Sequence, residues 1–141
     1  MKRVGRLLVT AAILGTGPVF AWADLSRSHV FNPRWTPHAR FHDASAVVTV
    51  LGWSIASLWL LWRPGTRDQR NLALKIAALH PVLSYAPFFV AETLPGAEAE
   101  DEPGEIPRVA GVPANLFGAG VMSGLSALGY LLARGEDRMS R

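Results

Sequence analysis

The chain has 141 residues, half of them apolar and 18% charged, with a net charge of +3 and no cysteine. That length fits one domain, and the lack of cysteine excludes disulfides, thiolate metal sites and a thiol nucleophile. The basic balance does not point to nucleic acid, because Lys and Arg are spread over short separate segments with no single basic face.

The apolar residues fall into four blocks, and nearly all charges lie between them. A soluble helical protein would show striped helices with a charged face; these blocks are apolar around their whole circumference. A helix needs about 20 apolar residues to cross the hydrocarbon core, within a range of roughly 17 to 25, and lipid forces such a segment to satisfy its own backbone hydrogen bonds as a helix. The expected helices cover about 7–23, 37–62, 72–94 and 112–133, with one inner loop at 63–71 and outer loops at 24–36 and 95–111. The predicted fold class is an all-α membrane protein, a four-transmembrane-helix antiparallel bundle forming a single transmembrane domain over 1–141.

The first block has a rival reading. MKRVGR is a positive n-region, LLVTAAILG an apolar stretch and Ala21-Trp22-Ala23 a cleavage pattern, with Gly15, Gly17 and Pro18 placed to break the helix before it. Retention as a helix is preferred, because four helices bury the polar residues of the other spans better than three. The second helix should start near Pro37, with Thr36 as N-cap and proline at the first helical position. Arg63-Pro64-Gly65 reads as a turn, which makes helices two and three antiparallel neighbours. The third helix carries Lys75, His80 and Glu92, and its Pro81 and Pro87 disturb the hydrogen-bond ladder. The second outer loop (AEAEDEPGE) reads as a flexible acidic surface segment. The fourth helix holds Gly120-x-x-x-Gly124 and the second Gly52-x-x-x-Ala56, small residues that let backbones approach closely. Packing within the bundle is expected of them ahead of a homodimer seam or a membrane-protein partner held through Gly120 and Gly124.

Orientation follows from Lys and Arg. With the N-terminus inside, the inner segments hold Lys2, Arg3, Arg6, Arg63, Arg67, Arg70, Lys75, Arg134, Arg138 and Arg141, and the outer ones only Arg27, Arg34, Arg40 and Arg108. Trp59, Trp62 and Tyr130 fall at the inner interface and Trp22 and Trp35 near the outer one, as aromatic belts would. The expected location is the inner membrane, multi-pass, with both termini cytoplasmic.

The segment SHVFNPRWTPHARFHD, residues 28–43, concentrates the polar chemistry. Asn32-Pro33 reads as a turn. His38 and His42 share a helix face, and their stripe continues through Ser45, Thr49 and Trp53. Glu92, Tyr85 and His80 on helix three are the expected partners, with Glu92 at the depth of His42. Ionisable groups within a span are costly and usually face a cavity or the interior. Three readings stay open. His38, His42, Glu92 and His29, completed by Asp43 or Asp24, could hold a divalent zinc or iron ion. His42, Glu92, Tyr85 and His80 could be the acid–base groups of an isomerase- or hydrolase-like enzyme acting on a small lipophilic molecule. The same residues could simply cap the helix, pair with Asp43 and Glu92 or meet lipid head groups, with His80 bonded to Ser84. A non-enzymatic accessory subunit is the remaining class; transport ranks last because internal repeats are absent, and no Walker, Rossmann or serine-hydrolase motif is present.

The stretch His29-x-Phe31-Asn32-Pro33-x-Trp35-x-x-His38-Ala39-x-Phe41-His42 resembles a family of small, uncharacterised four-helix membrane proteins of bacteria and fungi. Leu51-Gly52-Trp53, Trp62-Arg63 and Phe88-Phe89-x-Ala91 running into Pro95-Gly96 are similar too. The resemblance covers nearly the whole chain and implies the four-helix architecture without an activity. The general plan is also similar to DoxX-like and sterol-isomerase-like (EXPERA) proteins at the level of fold alone, and the sterol isomerase pattern of carboxylates and histidines within the spans is missing.

Overall fold

The computed structural model describes residues 2–100 and 104–134. The basic residues Arg138 and Arg141, and the loop acids Asp101 and Glu102, lie outside the described residues. Four helices, α1 (Lys2–Asp24), α2 (Pro37–Trp62), α3 (Arg67–Ala91) and α4 (Ala114–Arg134), pack as an antiparallel bundle, and each is long and apolar enough to cross a membrane. A short hairpin, β1 (Arg108–Val109) and β2 (Val112–Pro113), precedes α4.

Local chemistry sets the helix ends. Thr36 caps α2 by accepting from the Ala39 amide at 3.2 Å, and Pro37 takes the first helical position. The start of α3 is a capping box: Gln69 N–H donates to the Thr66 hydroxyl at 3.3 Å, while the Gln69 side chain accepts from the Thr66 amide at 2.9 Å. That box carries α3 five residues upstream of the apolar run, to Arg67, and Glu92 caps its other end. Hydropathy alone places the start at Leu72, because the first turn of α3 is charged and leaves the lipid. Helix α1 runs unbroken through Gly15, Gly17 and Pro18, contrary to the break expected of a cleavage region. Proline is tolerated within a membrane helix because neighbouring helices and local adjustments re-satisfy the freed carbonyl.

Helix α1 is the hub. Val9, Ala12, Ile13 and Thr16 are completely buried and follow the spacing of a single helix face. Val9 and Ile13 cluster with Leu61 of α2, Leu74, Ala77 and Ala78 of α3 and Ala133 of α4. The end holding both chain termini is closed by the Arg6 guanidinium donating to the Leu61 carbonyl and the Trp62 indole donating to Thr10 at 3.0 Å. At mid-bundle Tyr85 donates to the Gly15 carbonyl at 3.3 Å, which joins α3 to α1 across the centre. The core is built mostly of Ala, Ser, Gly and Thr, while large side chains such as Val48, Ile55, Leu79, Leu83 and Leu128 point outward. Water does not tolerate so much outward apolar surface on a monomer; hydrocarbon does, and small residues at helix contacts are how membrane helices gain packing energy. The fold points to a multi-pass membrane protein.

The glycines correct one expectation. Gly52, Gly118, Gly120 and Gly124 have open space where a side chain would stand, so the Gly120–Gly124 stripe does not pack within the bundle. The close approach is between Gly5 of α1 and Gly129 of α4: a Cβ on Gly5 would lie 2.5 Å from the Gly129 carbonyl oxygen and 2.6 Å from the Ala133 nitrogen. Helix α4 has small residues on two faces, and the face of Ala119, Ser126, Gly129 and Ala133 is the buried one, with Gly129 and Ala133 against α1 and Ser126 donating to the Ala78 carbonyl of α3 at 2.7 Å.

Candidate functional site

The sequence-predicted residues gather toward the end of the bundle opposite the termini, but they form separate groups. The connection after α1 is tied by Asn32, which is buried. Its amide donates to the Ser28 carbonyl at 3.2 Å, its side-chain oxygen accepts from the Arg34 amide at 2.9 Å, and its own carbonyl accepts from the Arg40 guanidinium at 2.8 Å. Asn32-Pro33 is therefore a structural clasp between this loop and α2. His29 sits on the clasp: its Nδ1 is 3.0 Å from the Ser28 hydroxyl, its Nε2 is 3.9 Å from the Asp24 carboxylate, and its ring stands edge-on to Trp35 at 5.7 Å. Asp24 and Asp43 meet side chain to side chain, which brings the end of α1 onto the start of α2.

His38 and His42 form the most distinctive pair. Both are exposed at the start of α2, their Nε2 atoms are 3.1 Å apart and their rings are perpendicular at 4.4 Å. The tautomer decides which nitrogen donates. The stripe below them, Ser45, Thr49 and Trp53, is also exposed, and the two hydroxyls donate to carbonyls of their own helix, Phe41 and Ser45, at 2.7 and 2.8 Å. The stripe thus faces away from the bundle. The reason is the opposite face of α2, where Val47, Ser54, Ser57 and Leu61 are buried.

His80 and Tyr85 belong to the interior. His80 is held between two hydroxyls, Ser54 of α2 at 2.8 Å from Nε2 and Ser84 one turn on at 3.2 Å from Nδ1. Gly17 of α1 leaves room for Ser54 there, since any side chain on it would overlap that hydroxyl. The Ser54 contact has no signal in sequence spacing, whereas the Ser84 contact is readable one helical turn away. These bonds satisfy an imidazole that would otherwise be costly to bury.

Glu92 is elsewhere again. With Pro87, Phe88, Glu98, Asn115 and Leu116 it lines a cavity of about 290 Å³ between the end of α3, the following loop and the start of α4. Neither Glu92 nor Tyr85 bonds to His42 among the described residues, and no group of three or more His, Cys, Asp or Glu side chains there converges as a metal cage would require. Among its described residues, the loop beyond is tied by Glu100. Glu100 accepts from the Gly104 and Ile106 amides at 3.2 and 3.3 Å and from the Arg108 guanidinium at 2.6 Å. The Arg108 bond, with help from the two amides, holds the Glu100 carboxyl below its ordinary value.

What this end of the molecule can do chemically is offer two facing imidazoles to the outside, and carboxylates in two other places. No curated protein and no solved structure matches the chain. Residues 6–140 match the family of unknown function DUF6640, nearly the whole chain with every helix and group described above, and the protein belongs to that family.

Proposed function

We propose that the protein is a multi-pass inner-membrane protein, both ends cytoplasmic, which binds a divalent transition ion on the opposite side through His38 and His42. The observation that carries the reading is the 3.1 Å between the two Nε2 atoms. Zinc–imidazole bonds of about 2.0–2.1 Å in tetrahedral geometry set two donor nitrogens about 3.3 Å apart. The pair needs only a small opening to chelate one ion. Helix α2 is rigid, so little ordering entropy is lost on binding. Two imidazoles favour zinc over ferrous iron and leave two positions for water or for an incoming ligand. The orientation rests on the positive-inside rule. It is supported by three cation–π contacts at the terminus end: Arg6 over Trp62 at 4.5 Å, Arg63 over Trp59 at 5.3 Å and Arg134 over Tyr130 at 5.2 Å.

The test is metal analysis of the full chain purified in mild detergent, followed by zinc titration of chelator-stripped protein. One ion per chain is expected, with affinity falling about tenfold or more in His38→Ala and in His42→Ala. A wild-type protein that takes up no zinc, or variants that bind as tightly, would remove the metal. An accessory-subunit role is the second reading, favoured by the outward face of Gly120 and Gly124; a membrane protein that co-purifies with the wild type but not with Gly124→Leu would support it.

A further inference from the structure

The cavity at the end of α3 has a chemistry of its own, independent of the two histidines. We infer that it is a binding site for a small lipophilic amine in its ammonium form, held by the carboxylates of Glu92 and Glu98. Its walls are apolar, with Pro87 and Phe88 from α3 and Leu116 from α4. At about 290 Å³ it stands at the lower end of ligand pockets, roughly 300–1,000 Å³, and suits one ring or a short alkyl body.

The polar groups choose the ligand's charge. Asn115 is partly engaged: one N–H of its amide donates to the Ala99 carbonyl at 3.1 Å and its oxygen accepts from the Leu116 amide at 2.8 Å, which leaves one N–H. Arg108, the basic residue of the same loop, is held by Glu100 at 2.6 Å. Glu92 and Glu98 make no ion pair with any described residue. The charged side chains left to a ligand are two carboxylates, which only accept. A carboxylate or a phosphate meets charges of its own sign there, while an ammonium finds carboxylate acceptors. Two further features carry the same sign. Glu92 caps the C-terminus of α3, where the helix dipole favours a cation. Phe88, packed against Tyr85 at 5.5 Å and Phe20 at 6.1 Å, brings an aromatic ring to the same cavity lining. Apolar lining together with two exposed carboxylates matches the two parts of an amphiphilic amine.

The experiment uses the full chain in phosphatidylcholine nanodiscs, with radiolabelled 4-phenylbutylamine as probe and empty nanodiscs as the partition control. Saturable binding of one amine per chain is expected, displaced by unlabelled amine and not by 4-phenylbutanol. The double variant Glu92→Gln, Glu98→Gln should bind about tenfold or more weakly. Leu116→Trp, which keeps both carboxylates but fills the cavity, should lose binding as well. Melting temperatures of both variants verify that they fold. Uptake no greater than in empty nanodiscs, equal displacement by the alcohol, or unchanged binding in the two variants would overturn the assignment. His42→Ala should bind the amine normally, which separates this site from the metal.

Discussion

At the scale of single residues, glycine divides the molecule into a sealed seam and an open face. Gly5 and Gly129 bring the backbones of α1 and α4 together with no room for a methyl group, because the opposing atoms are backbone and cannot rotate away. Gly5→Ala should therefore destabilise by about 1–3 kcal/mol, the usual range for overpacking. Gly124→Ala meets open space and should be neutral or mildly stabilising, since alanine is the better helix former. Melting of the two variants in the same detergent checks both, and equal losses would place the seam elsewhere. Spacing alone favours Gly120-x-x-x-Gly124 as the packed pair, because it is the familiar motif; the partner of Gly5 is 124 positions away and leaves no local trace. The histidines divide in the same way. His38 and His42 lie one turn apart on a helix, so their meeting is readable. The bond from Ser54 to His80 crosses between helices and is not.

At the scale of elements, helix ends are governed by nearby chemistry, and chain order reveals them. Thr36-Pro37 is one such signal, and Thr66-Arg67-Asp68-Gln69 is another that hydropathy overlooks. The connection between α3 and α4 is different. Its hairpin pairs Arg108 with Pro113 and Val109 with Val112 around Ala110 and Gly111, both at positive φ (51° and 82°). Such a turn normally announces itself with Asn-Gly or Asp-Gly, and here alanine takes the first place. Glu100 holds the hairpin, and its carboxyl titrates below the ordinary value. The stabilisation is therefore fully present above the ordinary carboxylate range and is lost as pH falls through the lowered value. Amide exchange at Gly104 and Ile106 should quicken at that acidic step. Glu100→Gln should exchange faster at neutral pH and show no such step; a step that persists in this variant would assign the titration to another group.

At the scale of the whole molecule, an even number of antiparallel helices places the start of α1 and the end of α4 on one face, and the proposal that this face is cytoplasmic rests on the charge distribution. The lack of native cysteine makes the assignment directly testable. Arg27→Cys, on the connection after α1, should react with an impermeant maleimide added to intact cells. Asp68→Cys, in the first turn of α3, should react only after the membrane is opened. The reverse pattern would invert the protein. Both proteins should keep the mass of residues 1–23, since α1 contributes the most deeply buried face of the bundle.

Helix number, the cap of α2 and the facing pair His38 and His42 were determined by the sequence by itself, because each depends on hydropathy over a window or on neighbours within one turn. Tertiary structure alone decided which face of each helix is inside. It turned the stripe of His38, His42, Ser45 and Thr49 outward, sent Glu92 to a cavity against α4 and sealed His80 between serines. The physical reason is that lipid is as apolar as the residues facing it. Without a hydrophobic contrast to orient them, such helices are turned by close packing and interhelical hydrogen bonds, which form only between segments distant in the chain.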